Sequence, residues 1–168
     1  MSLITIRPAI AEDAFFVAPL IYEAMGELVS KFTKGNVQEG ILLFEHFFRK
    51  ENNQYSFQNC SIAQYNGEDA GMILTYDGKD LSVLRHSFLM YLESQYNFRI
   101  NPIEDETQQG ELYIDCLAVE PKFRGKRLGS ALIKSAIDKA KTLKIPNTGL
   151  IVDIHNDIAL RLYESLGF

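Results

Sequence analysis

The stretch from Glu111 to Ser130, ELYIDCLAVEPKFRGKRLGS, constrains the chain more than any other. Leu112, Ile114, Cys116, Leu117 and Val119 form a short, mostly apolar run suited to a strand. Pro121 has no N–H to offer a ladder and ends it. Arg124-Gly125-Lys126-Arg127-Leu128-Gly129 comes next, and then Ala131, Leu132, Ile133, Ala136, Ile137, Ala140 and Leu143 recur at helical spacing. Strand, glycine-bearing loop and helix in succession make a cradle for an anion. The first helical turn has N–H groups without intrahelical partners, and the aligned peptide dipoles put partial positive charge there. A phosphate or pyrophosphate suits such a place. The dipole contributes only about 0.3 to 1 kcal/mol at an exposed site, so N–H hydrogen bonds and the cations Arg124, Lys126 and Arg127 must supply the rest. Gly125 and Gly129 let the backbone come close.

The same loop resembles the acetyl-CoA motif of the GNAT family of N-acetyltransferases, Gln/Arg-x-x-Gly-x-Gly/Ala, with Arg124 in the first place and Gly129 in the last. The middle glycine of the motif is Arg127 here. Backbone N–H groups do the binding in that motif, and arginine has one, so the variant is tolerable. The likeness extends to Ile6-Arg7-Pro8-Ala9 with Glu12-Asp13, and to Asn156-x-x-Ala159-x-x-x-Tyr163-x-x-x-Gly167-Phe168. It implies an α/β (α+β) fold: a central mixed, mostly antiparallel twisted sheet with helices on both faces. It also implies that residues 1–168 form one N-acetyltransferase domain, with a helical insertion at about 80–110 and without the last two strands usual in the family.

Composition agrees with a soluble globular protein. At 168 residues the chain is one domain's length and can bury roughly 70% of its unfolded surface without staples. Net charge is −5, which argues against general nucleic-acid binding, and the basic cluster Lys122 to Arg127 is local, as a small phosphorylated ligand requires. Cys60 and Cys116 lack metal-ligand spacing, and reduced thiols in a cytoplasmic setting are the default. No N-terminal segment resembles a signal peptide, and no run reaches the ~18 apolar residues of a membrane span.

Residues 3–7 suit a first strand closed by Pro8, and Glu12 to Lys31 a helix weakened or kinked at Gly26. A second helix is expected over Val37 to Lys50, with Ile41, Leu42, Phe44, Phe47 and Phe48 as its buried stripe. Ser56–Tyr65 and Ala70–Tyr76 read as a hairpin around Asn66-Gly67-Glu68-Asp69. Leu81 to Tyr96 reads as a helix and Asn101 to Gly110 as an irregular acidic loop. This segment falls between the family's third and fourth strands. It has no part in holding acetyl-CoA and could cover the acceptor site, form a dimer face or be a functionless elaboration. Glu104, Asp105 and Glu106 could attract a cationic amine, although a charge run is more often a solvated loop. Leu150 to Ile154 suits another strand, and Asn156 suits the cap of a closing helix.

The resemblance implies transfer of acetyl from acetyl-CoA, as cosubstrate and without a metal, to a primary amine on a small molecule or peptide. Neither nucleic acid nor membrane enters, and a homodimer is an option. Direct attack in a ternary complex requires a neutral amine, yet at pH 7 an amine of pKa ~10.4 is less than about 0.1% neutral. Asp115, the one acid inside the central strand, is the first candidate for the base; its plain alternative is a strand residue paired with a lysine or a backbone N–H. Glu111 and Tyr113 are poorer candidates. By the same resemblance, the N–H groups of Leu117, Ala118 and Val119 would serve the oxyanion, and Gly125, Lys126, Leu128, Gly129 and Ser130 with Arg124 and Arg127 the pyrophosphate. Asn156 would bond the pantetheine arm, and Tyr163 would protonate the leaving thiolate. Without the resemblance Tyr163 reads as a core residue with its hydroxyl at the rim. His155, His46, His86 and Cys116 read as structural. A sensor that binds acyl-CoA without turnover is the alternative. A nucleotide-binding protein is disfavoured, because the loop lacks the Gly-Lys-Ser/Thr ending.

Overall fold

Five segments line up as one sheet in the computed structural model, which describes residues 3–101 and 104–168. The strands β1 (Ile4–Pro8), β2 (Cys60–Tyr65), β3 (Glu68–Asp77), β4 (Glu111–Val119) and β5 (Asn147–Leu150) lie side by side in chain order. Pairings from β1 to β4 are antiparallel, and β5 runs parallel to β4. A parallel neighbour needs a crossover, and the helix α4 (Leu128–Thr142) supplies it.

Strand alternation sends side chains to two faces, and each face buries its own cluster. Ile62, Met72, Leu74 and Cys116 point to one side, where α1 (Ala14–Thr33), α2 (Val37–Phe48) and α3 (Leu81–Tyr96) contribute Val17, Ile21, Phe44, Phe48, Phe88 and Leu92. Ala63, Ile73, Leu112 and Ile114 point to the other, against Leu132, Ile133 and Ala136 of α4 and, at the edge, Leu162 and Tyr163 of α5 (Asp157–Ser165). The expected α/β (α+β) arrangement of a mostly antiparallel sheet between helices is thus present.

The segment after β3 is part of the core. Phe88 is 1% exposed and its ring meets those of Phe44, Phe47 and Tyr55 at 4.9–6.4 Å. Burying Phe88 and Leu92 contributes about 1.5 to 3 kcal/mol apiece. The helix of this segment is therefore held in the core and not laid on the surface. Of the irregular stretch that follows, Pro102 and Ile103 lie outside the described residues.

Several boundaries differ from expectation for visible reasons. The hairpin turn is Asn66-Gly67 alone, both at positive φ (52° and 85°), and Glu68 and Asp69 join β3. β2 starts only at Cys60, because 57–59 form a 3-10 turn capped by the Ser56 hydroxyl. α1 begins at Ala14 after its own short 3-10 turn and runs on through Gly26. β5 occupies Asn147–Leu150 and not the more apolar Leu150–Ile154. Its partner Glu111–Ile114 offers a regular edge only up to Asp115, so Ile151 and Ile154 leave the sheet and lie exposed.

Candidate functional site

The loop between β4 and α4 has the geometry of an anion cradle. Gly125 (φ 78°) and Arg127 (φ 65°) both take the left-handed conformation. Arg127 therefore occupies a backbone state that glycine adopts without steric cost, and it is the N-cap of α4. The first intrahelical bond runs from Ala131 N–H to the Arg127 carbonyl at 3.1 Å. The N–H groups of Leu128, Gly129 and Ser130 precede that ladder and lack helical acceptors. At Gly129 a Cβ would lie 3.2 Å from Cδ2 of Leu162, a tight approach that shows α5 packing directly on the loop.

The cations divide by task. Arg124 donates through Nε to the Val119 carbonyl (3.0 Å) and through a terminal nitrogen to Glu23 of α1 (2.7 Å), which ties the strand end to α1 and offsets its charge. Lys122 is paired with Glu68 and Glu120. Lys126 lies over the Tyr65 ring at 4.4 Å. Arg127 makes no ion pair among the described residues, which leaves its guanidinium for a ligand.

The middle of β4 is irregular where chemistry was expected. Leu74 pairs with Cys116 and Thr75 with Ile114, so Asp115 has no partner on β3 and forms a bulge. The pairing of β4 with β5 stops at the same point, Ile114 with Leu150. Leu117, Ala118 and Val119 pair with β3 on one side only, so alternate N–H groups face the gap left by β5. The ammonium of Lys139 on α4 braces the opposite strand at this level, donating to the Thr75 hydroxyl at 2.9 Å.

Among the described residues Asp115 meets neither a lysine nor a backbone N–H. Its Oδ2 accepts from the Tyr76 hydroxyl (3.1 Å) and from Nε2 of Gln54 (3.4 Å), while its Oδ1 accepts no bond among the described residues. Burial and then the nearby Glu106 carboxylate raise its pKa to about 7, against the lowering effect of the two hydrogen bonds. That value matches a base working near neutrality. Gln54 sits in a buried polar loop whose backbone is held by side chains: Asn53 bonds the Phe47 and Lys50 carbonyls, and Asn59 bonds those of Asn53 and Gln54. Gln54, Tyr76 and Glu106 were not expected as part of one site. A short loop and two distant segments carry no joint sequence signal.

Tyr163 is half-buried on α5, its ring 6.1 Å from that of Phe168, and burial raises its pKa, so it holds its proton at neutral pH. Next to Asp115, the Cys116 thiol belongs to the cluster on the opposite face of the sheet from Tyr163. That thiol is buried with its pKa pushed well up, which makes it inert. Asn156 caps α5, its Oδ1 accepting from Ala159 N–H at 3.1 Å. Tyr113 bonds Glu106 and not Asp115, and Glu111 accepts from the Thr107 hydroxyl. His155 and His86 are exposed, and His46 packs edge-on against Phe47 and tilted against Tyr91. A cleft of about 650 Å³ opens beside the site, lined by Gly78, Ser82, Asp105, Glu106, Gln108 and Glu111 among others. Among the described residues no helix is long and apolar enough to cross a membrane.

The sequence and the fold have counterparts among known proteins. Residues 21–168 match the Acetyltransferase (GNAT) family, and the chain belongs to that family. It is 46% identical over 59 residues to a mycothiol acetyltransferase of Acidothermus cellulolyticus, a match covering 35% of this chain and 17% of that protein. It is 39% identical over 56 residues to N-alpha-acetyltransferase 30 of Saccharomyces cerevisiae, covering 33% of this chain and 32% of the relative. The matched stretches thus span a third or less of those relatives. A crystal structure of an acetyltransferase superposes with a TM-score of 0.79 at 26% identity, over 98% of this chain and 88% of that one. An N-acetyltransferase from Staphylococcus aureus Mu50 shares the fold, with a TM-score of 0.80 at 23% identity over 98% and 90% of the two chains. So does an aminoglycoside N-acetyltransferase, AAC(6')-Iy, in complex with CoA (TM-score 0.60, 13% identity, 100% and 89% coverage).

Proposed function

We propose that residues 1–168 act as one N-acetyltransferase unit that moves acetyl from acetyl-CoA to a primary amine by direct attack in a ternary complex. The observation that carries this is Asp115: a carboxylate of pKa about 7 at a strand bulge, with one oxygen unengaged, beside a gap in the sheet.

Acetyl-CoA supplies the acyl group as a thioester. The residues present fit it: the free N–H groups of Leu128, Gly129 and Ser130 and the unpaired Arg127 face a pyrophosphate, with Gly125 and Lys126 shaping the turn. Arg124 serves this loop as a brace, given its bonds to Val119 and Glu23. Asn156 offers its amide nitrogen to the pantetheine arm while its oxygen caps α5. Asp115 takes a proton from the ammonium through Oδ1, directly or through water, and the neutral nitrogen forms the new C–N bond. N–H groups within Leu117–Val119 stabilise the oxyanion, the C–S bond breaks and Tyr163 protonates the thiolate; the second proton on the acylated nitrogen then restores the Tyr163 phenol, and Asp115 releases its own proton to solvent. Arg127 takes the left-handed backbone state of the glycine it replaces, which supports cofactor binding by this loop. Amine and CoA are the only partners this chemistry needs, and a cytoplasmic location suits it.

A thermal shift with acetyl-CoA, CoA and ADP, followed by an amine screen for free thiol release, tests the proposal. A ligand at 100 times Kd adds about 2.7 kcal/mol, or roughly 5 to 10 °C for a chain of this size. A clear rise with acetyl-CoA and CoA, little with ADP, and thiol release with at least one amine are expected. Binding without release from any amine would favour the sensor, and no rise at all would remove the cofactor site.

A further inference from the structure

The segment between β3 and β4 reaches Asp115 from two directions. On one side, the Gln54 backbone N–H donates to the Leu84 carbonyl of α3 at 3.1 Å, and the same residue's side chain donates to Asp115. On the other, residues 107 and 108 press on the end of β3: a Cβ on Gly78 would fall 2.2 Å from the Gln108 carbonyl oxygen and 2.4 Å from the Thr107 hydroxyl. That contact, the bond from Thr107 to Glu111 and the pairing of Arg85 with Asp105 hold Glu106 beside β4. Tyr76 and Tyr113 link the two sides. They are direct cross-strand partners, with rings 5.7 Å apart; the Tyr76 hydroxyl bonds Asp115, and the Tyr113 hydroxyl bonds Glu106 at 3.4 Å. Two carboxylates, two phenols and an amide thus form one array built from four separate parts of the chain.

We infer that Gln54, Tyr76 and Glu106 are positioning residues for Asp115, and that the 81–110 segment takes part in the reaction through them. This rests on the proposed role of Asp115 as the base. Gln54 and Tyr76 both bind Oδ2, which fixes the carboxylate plane and leaves Oδ1 for the incoming amine. The titratable groups around Asp115 are Tyr55, Tyr76, Tyr113, Cys116 and Glu106. Burial raises the three phenols and the thiol, so they stay neutral, and Glu106 is the remaining acid of the set. Its charge opposes ionisation of Asp115, while the Tyr76 hydrogen bond favours it. A base that must accept a proton and later release it is balanced between these two.

Carbon-13 NMR of the Asp115 carboxyl, titrated in the full chain without ligand, reads this balance apart from catalysis. Glu106→Gln should move the midpoint down, and Tyr76→Phe should move it up, each by about half a pH unit or more. Gln54→Ala should also move it up, by less, in keeping with its longer bond of 3.4 Å. Opposite displacements are a signature that a structural role would not give. Midpoints unchanged in Glu106→Gln and Tyr76→Phe, or moved in the same direction, would overturn the inference. The acid limb of the pH profile of kcat/KM is measured in the same variants. A limb that follows the NMR midpoints supports both the inference and the base. Midpoints that move while the limb stays would sink the base and, with it, the segment's part in the reaction, leaving only the electrostatic array.

Discussion

The two halves of the site are built by different means. The half formed by β4, the loop and α4 works through backbone N–H groups and lies within twenty consecutive residues, Glu111 to Ser130. The half formed by Gln54, Tyr76, Glu106 and Asp115 works through side chains from four separate stretches. A backbone site depends on where the chain turns, and turns are set locally by glycine, proline and helix starts. A side-chain site depends on register and packing between distant elements. Substitutions should therefore separate the halves: changes to the loop should alter binding of acetyl-CoA, and changes around Asp115 should alter turnover.

The largest effect is expected at Gly129. Gly129→Glu places a carboxylate among the free N–H groups and drives its Cβ toward Leu162, so calorimetric titration should detect no acetyl-CoA binding. Ser130→Asp separates charge from packing, since an acid in the first turn favours the helix but repels a phosphate. This variant should melt at or above the midpoint of the unaltered chain and still bind acetyl-CoA at least tenfold more weakly. Tight binding by Ser130→Asp would mean that the pyrophosphate lies elsewhere. Tyr163→Phe comes next: turnover should fall about 100-fold with acetyl-CoA affinity nearly intact, as befits loss of one proton donor. Unchanged turnover would return Tyr163 to a core role. The smallest effect is expected for Arg127→Gly. Relief of the left-handed arginine, less the entropy of the extra glycine, should stabilise the chain by about 0.5 to 1 kcal/mol. That raises the melting midpoint by about 1 to 4 °C. Loss of the unpaired guanidinium should weaken acetyl-CoA binding a few-fold.

The same contrast governs what could be read from residues alone. The β4 strand, the glycine loop and α4 were legible because their signals are contiguous, and so was the turn at Asn66-Gly67. Asp115 stood out as an acid within an apolar strand, but its bulge and its partners did not. The bulge exists only as a mismatch in register with β3, which no local pattern encodes. Tyr76 ends the second strand of the hairpin in sequence, and only the register of β3 with the distant β4 sets it opposite Tyr113. Gln54 lies in a buried loop held by asparagine side chains, where neither periodicity nor hydropathy offers a signal. The apolar run Leu150–Ile154 misled in the opposite sense: β-propensity was present, but the partner edge ended at Asp115.

The most direct test of this division of labour is Asp115→Asn, with acetyl-CoA affinity and thiol release measured on the same preparation, using an amine that the unaltered chain accepts. An acetyl-CoA Kd within twofold of the unaltered chain, with turnover lower by about 100-fold or more, is the expected result. Turnover within threefold of the unaltered chain would contradict it, because the proton would then leave the amine by a route that does not pass through Asp115.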